Sequence, residues 1–109
     1  MAQLDDNPIV IADTAGIIRF WSPGAEKMFG HAAAMAVGRS LELIVPEAYR
    51  DAHWKGFRRA MASGVAEAEG QVGEFPVKLS DGEIGSAIGR LTLVRQMQGK
   101  VIAAMVVFQ

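Results

Sequence analysis

The 109 residues carry eleven Lys and Arg against twelve Asp and Glu, a formal net charge of −1, and half of them are hydrophobic. That is enough chain for one domain with one core, and its balanced charge speaks against the clustered basic surface of a nucleic-acid binder. There is no cysteine, which excludes disulfides, zinc–thiolate and iron–sulfur sites, and cysteinyl flavin or bilin adducts. Asp5 and Asp6 interrupt any secretory leader. The longest apolar run, Val101 to Phe108, is far short of the ~20 residues a membrane helix needs. These features predict a cytoplasmic location without a membrane span in this segment. The chain stops in that apolar run, at Gln109, and reads as one domain, 1–109, excised from a larger signalling protein.

Residues 8 to 13, PIVIAD, predict a short strand, and Ile17 to Trp21 a second one. The turn Asp13-Thr14-Ala15-Gly16 joins them as a hairpin. Ser22 resembles a helix N-cap with Pro23 at the first helical position, so a short helix is expected from Pro23 to Phe29, stopped by Gly30. Residues 32 to 36 add one more helical turn before Gly38. A polar connection spans 65 to 70. Glu74 to Leu79 reads as a strand in which Pro76 demands an edge or a bulge. Ser80-Asp81-Gly82 is a turn, Ile84 to Arg95 a long strand, Gln98-Gly99 a turn, and Val101 to Phe108 the last strand.

Between these halves lies VPEAYRDAHWKGFRRAMASG, residues 45 to 64. Pro46 and Glu47 suit a helix start and Gly64 a helix stop, so one helix is expected over 47–63. At 100° per residue, Tyr49, His53, Gly56, Phe57 and Ala60 share an arc, with the imidazole at its centre beside a glycine. Lys55, Arg58 and Arg59 fall on the solvated side. The strand and helix order predicts an α+β domain: a five-stranded antiparallel sheet with helices packed on one face. The helix arc would then enclose a pocket against the sheet, lined by His53, Gly56, Phe57, Ile88, Leu91 and Val106. The competing reading of His53 is a core or semi-exposed histidine hydrogen-bonded to backbone.

The last strand alternates Val101, Ala103, Met105 and Val107 with Ile102, Ala104, Val106 and Phe108. Being apolar on both faces, it is expected to be covered on both. One cover is the core. The other needs a flanking helix or a second copy; the expectation is a homodimer through the outer sheet face, centred on Ile102, Ala104, Val106 and Phe108 or their alternates, the alternative being helices outside this stretch that cover the same face. No nucleophile–base spacing or metal-hydrolase motif is present, so catalysis is not expected.

The opening IVIADTAGIIRFWSPGAEKMFGH, the stretch Val37-Gly38-Arg39-Ser40, the run Leu43-Ile44-Val45-Pro46 and the later Asp81-Gly82 together resemble the PAS domain family over nearly the whole chain. Ser22 stands where that family usually has Asn. The resemblance implies a PAS fold and a sensory, commonly dimeric signalling module. It implies as partner a flanking output domain such as a kinase, cyclase or transcription regulator. The run Val45 to His53 also resembles heme-binding PAS oxygen sensors of the FixL type. That implies heme b, with His53 as the metal ligand, Tyr49 nearby, and Gln71 close to the position of distal residues; those sensors use Arg on that strand, and this chain has none between Arg59 and Arg90. The alternative is a non-heme PAS module that binds a small organic ligand or serves only dimerisation and signal relay.

Overall fold

The computed structural model describes residues 7–109. Strands β1 (Ile9–Asp13) and β2 (Ile18–Trp21) form the first hairpin, followed by helices α1 (Pro23–Phe29) and α2 (Ala33–Ala36). The turn between β1 and β2 is built by Asp13, whose Oδ1 accepts from the N–H groups of Ala15 and Ile17 at 2.9 and 3.0 Å. Ser22 caps α1 as expected and does more. Its hydroxyl, 2% exposed, accepts from Ala25 N–H (3.1 Å) and Ile9 N–H (2.8 Å) and donates to Asn7 O (2.8 Å). A single oxygen therefore stitches the helix start to the first strand. Gly30 ends α1 at φ 85°, the left-handed conformation that favours glycine.

The long helix starts later than its sequence suggests. Glu47–Tyr49 is a 3-10 turn, and helix α3 proper runs Arg50–Ser63, closed by Gly64 at φ 74°. Strand β3 (Val72–Lys78) begins two residues earlier than expected, while β4 (Ile84–Arg95) and β5 (Val101–Phe108) occupy the expected spans. All pairings are antiparallel, in the order β2-β1-β5-β4-β3. Pro76 therefore sits in an edge strand, where its missing N–H is harmless.

Register settles which sheet face each residue takes, because partners across a ladder share a face and neighbours along a strand alternate. Val10 pairs Val106, Ala12 pairs Ala104, Leu91 pairs Val106 and Gly89 pairs Phe108. Val10, Val106 and Phe108 pack in one cluster with Ala25 and Phe29 of α1, so this is the inner, helix-covered face. A second cluster joins Leu93, Val101 and Ala104 to Phe57 and Met61 of α3. The outer face carries Ile9, Ile11, Ala103, Met105 and Val107.

Of the two expected sets of β5 residues, the alternates form most of the outer face. Ala104, Val106 and Phe108 belong to the core, and their alternates Ala103, Met105 and Val107 take the outer face. The alternation also breaks near the start of β5: Val94 pairs Ala103 but Arg95 pairs Val101, leaving Ile102 opposite no partner. This bulge turns Val101 inward to 5% exposure and leaves Ile102 40% exposed.

Candidate functional site

His53 lies in α3, one turn before Phe57 and next to Trp54. The three rings form an aromatic cluster. His53 and Phe57 are stacked at 5.9 Å between centroids and 23° between planes, and Trp54 meets His53 edge-on at 4.8 Å. Trp54 is itself held, because its indole N–H donates to Glu42 Oε2 at 2.6 Å. The imidazole Nδ1 is buried and has no hydrogen-bond partner among the described residues. Burial lowers the His53 pKa below its ordinary 6.5, against a smaller opposing effect of the Glu42 carboxylate. The ring is thus favoured neutral, with one nitrogen unsatisfied.

The residues expected around this imidazole come together only in part. Phe57 packs in the same cluster as Leu91, and Leu91 pairs Val106 on the inner face. Ile88 pairs Glu74 and lies on the outer face, 48% exposed, because it is an odd number of positions, three, from Leu91. Gln71 is exposed and precedes β3, at the sheet edge. Tyr49 is 49% exposed in the 3-10 turn before α3. Gly56 is exposed, and a Cβ there would meet nothing within 4 Å, so its open space faces solvent. Met97 stands fully in solvent at the β4–β5 turn, and Lys55, Arg58 and Arg59 are exposed.

Two cavities lie elsewhere. One of about 600 Å³ is lined by Arg39, Arg50 and Lys78, and one of about 420 Å³ by Met61, Gly64 and Val101. The first escaped sequence reasoning because its lining comes from separate stretches between His31 and Gly82 that meet only through tertiary contacts. Among the described residues, no group of three or more His, Asp or Glu is placed to hold a metal ion, and no helix is long and apolar enough to cross a membrane.

A curated protein of Azorhizobium caulinodans, described only as uncharacterised, is 34% identical over 86 residues, covering 76% of this chain and 12% of that protein. The oxygen sensor protein DosP of Escherichia coli is 29% identical over 65 residues, covering 60% of this chain and 8% of that protein. The chain therefore spans about a tenth of the length of these relatives. Among solved structures, the PAS domain of a Colwellia psychrerythraea protein superposes with a TM-score of 0.80 at 18% identity, covering 95% of this chain and 85% of that one. The family profile described as the PAS fold matches residues 2–109. With its five-stranded antiparallel sheet in the order β2-β1-β5-β4-β3 and its helices over the inner face, the chain belongs to the PAS family.

Proposed function

We propose that this PAS domain is a sensory relay that works by self-association through its outer sheet face, as one module of a longer cytoplasmic signalling protein. Its role is binding and signal transfer to a flanking output domain such as a kinase, cyclase or transcription regulator, without catalysis of its own. The observation that carries this reading is the outer face itself. Ile9, Ile11, Met105 and Val107 lie side by side on paired strands there, with Val94 paired to Ala103 and Phe20 to Ile11. None of these side chains belongs to either core cluster. Burying them against a second copy stabilises association at roughly 25 cal/mol per Å² of apolar surface, before association entropy is subtracted. Sedimentation equilibrium over a concentration range tests this; a strictly monomeric species at high concentration overturns it.

Heme b at His53, which the likeness to DosP over 65 residues supports, is not the reading adopted. The imidazole is stacked on Phe57 and edged by Trp54, and neither cavity touches it. Of the other expected lining residues, Ile88, Gln71, Tyr49 and Gly56 do not converge on the ring. Heme ligation at His53 would therefore require rearrangement of the residues around the ring. The buried, unsatisfied Nδ1 supports a second reading: a small organic ligand with one hydrogen-bonding group, which would have to open space between α3 and the inner face, since neither cavity reaches the ring. Such a ligand would satisfy a nitrogen whose burial is otherwise uncompensated. Mass spectrometry of the natively purified chain, with His53→Ala as the control, distinguishes a retained ligand from none.

A further inference from the structure

The cleft of about 600 Å³ opens where the stretch after α2, the start of α3 and the β3–β4 hairpin meet. Three cationic side chains line it, Arg39, Arg50 and Lys78, one from each region. Backbone bonds bring them together. Lys78 N–H donates to Ile44 O at 2.9 Å, Ser80 N–H to Phe29 O at 2.8 Å, and Ile18 N–H to Arg39 O at 2.8 Å. The Arg50 guanidinium is fixed in place: Nε donates to Val45 O at 3.1 Å and Nη2 to Glu42 O at 3.2 Å. Arg39 and Lys78 make no hydrogen bond or ion pair through their side chains with any described residue.

The cleft also holds two carboxylates, but both are engaged within the fold. Glu42 Oε2 accepts from Trp54 Nε1 and its Oε1 stands 4.0 Å from Arg50 Nη1. Asp81 Oδ1 accepts from Glu83 N–H at 2.9 Å, closing its own turn. Three cations against these two carboxylates leave the cleft with a net positive charge, with Arg39 and Lys78 unpaired among the described residues beside a pre-positioned guanidinium. Leu43 and Leu79 supply an apolar wall. A volume of this size matches the ~300–1,000 Å³ typical of small-molecule sites, and arginine forks suit multi-oxygen anions.

We propose that this cleft binds a small organic dianion, the shared chemistry of phosphomonoesters and short dicarboxylates. Its anionic oxygens meet Arg39, Arg50 and Lys78, and its carbon atoms lie along Leu43 and Leu79. The site is separate from the self-association face, so the two readings stand or fall independently. Both tryptophans report on it. Trp54 is bonded to Glu42, and Trp21 donates to the carbonyl of His31, another wall residue, at 2.9 Å.

The test titrates the full chain with glycerol 3-phosphate, succinate and inorganic phosphate, followed by tryptophan fluorescence and calorimetry. The expected result is saturable binding of glycerol 3-phosphate or succinate, tighter than inorganic phosphate and weakened by added salt. Whichever of the two binds more tightly assigns the class of dianion. Arg39→Gln and Lys78→Gln are each expected to weaken binding by about tenfold, on the scale of one charge-assisted contact, with unchanged thermal midpoints because neither side chain has a partner among the described residues. Three results overturn the proposal: no saturable binding of any probe, affinity unchanged in the double variant, or inorganic phosphate binding as tightly as both organic anions.

Discussion

Glu42 Oε2 and Trp54 Nε1 meet at 2.6 Å, tying the 3-10 turn Leu41–Leu43 to helix α3. The bond fixes the indole over the β1–β2 turn, where Gly16 sits at φ 80°. A Cβ on Gly16 would collide with the Trp54 ring. Gly16→Ala therefore faces two costs: a left-handed backbone, about 1–2 kcal/mol, and overpacking, about 1–3 kcal/mol. Urea unfolding is expected to show a loss of roughly 2–5 kcal/mol from these two sources. In a Trp54→Ala background only the backbone cost should remain. An equal loss in both backgrounds would show that the ring is not the obstacle.

Adjacent residues of β5 separate assembly from folding. Val107 lies on the outer face and Val106 packs against the inner cluster with Phe29 and Phe108. Val107→Lys is expected to give a folded monomer, read by sedimentation and circular dichroism. Val106→Lys is expected to lose several kcal/mol of stability, because a charge placed in a core has no partner. A dimer that survives Val107→Lys would remove the outer face from the interface.

What could be read before the fold was known followed from local chemistry. Ser22, Pro23 and Gly30 bound α1 because caps act within a few residues. The turn at Ser80-Asp81-Gly82 and the edge position of Pro76 were legible for the same reason. The faces of β5 were not, because strand alternation leaves two choices and a bulge at Val94 and Arg95 interrupts it. Ile88 and Leu91, three apart in β4, cannot share a face of a regular strand, so that pairing was an error visible in the sequence itself. The cleft at Arg39, Arg50 and Lys78 was hidden for a different reason. No spacing rule connects residues whose approach depends on Lys78 bonding Ile44.

The His53 ring is stacked on Phe57, and Trp54 at its edge is pinned by Glu42. Hemin added to the purified chain is expected to give no Soret shift that depends on His53. His53→Ala should leave the spectrum of the mixture unchanged. A band present in the parent chain and lost in the variant would restore the heme reading and require α3 to move away from the sheet.

Acid should weaken the fold in two separate steps. Glu69 and Arg95 form a two-pronged pair, Oε1 to Nη2 at 2.7 Å and Oε2 to Nη1 at 2.9 Å. Oε2 also accepts from Leu93 N–H at 2.8 Å, and Arg95 donates to Gly64 O at 3.0 Å. The group ties the end of α3, the following connection and β4 into one unit. Hydrogen bonds from Arg95 and then from Leu93 hold the Glu69 carboxyl at about 2, below its usual 4.5. A carboxyl depressed by folding stabilises the native state above its unfolded pKa and ceases to as pH falls through the folded one. That contribution is present above about pH 4.5 and lost towards about pH 2. His53 acts higher. Above its ordinary 6.5 it is neutral folded or unfolded and contributes nothing to the pH dependence. Below 6.5 the unfolded chain takes the proton first, because burial lowers the folded pKa. Stability therefore declines as pH drops from 6.5. Urea midpoints across the acid range should show both limbs. Glu69→Gln should flatten the lower one, which surface screening keeps modest, and His53→Phe the upper one. Either limb surviving its own substitution would assign it to another group.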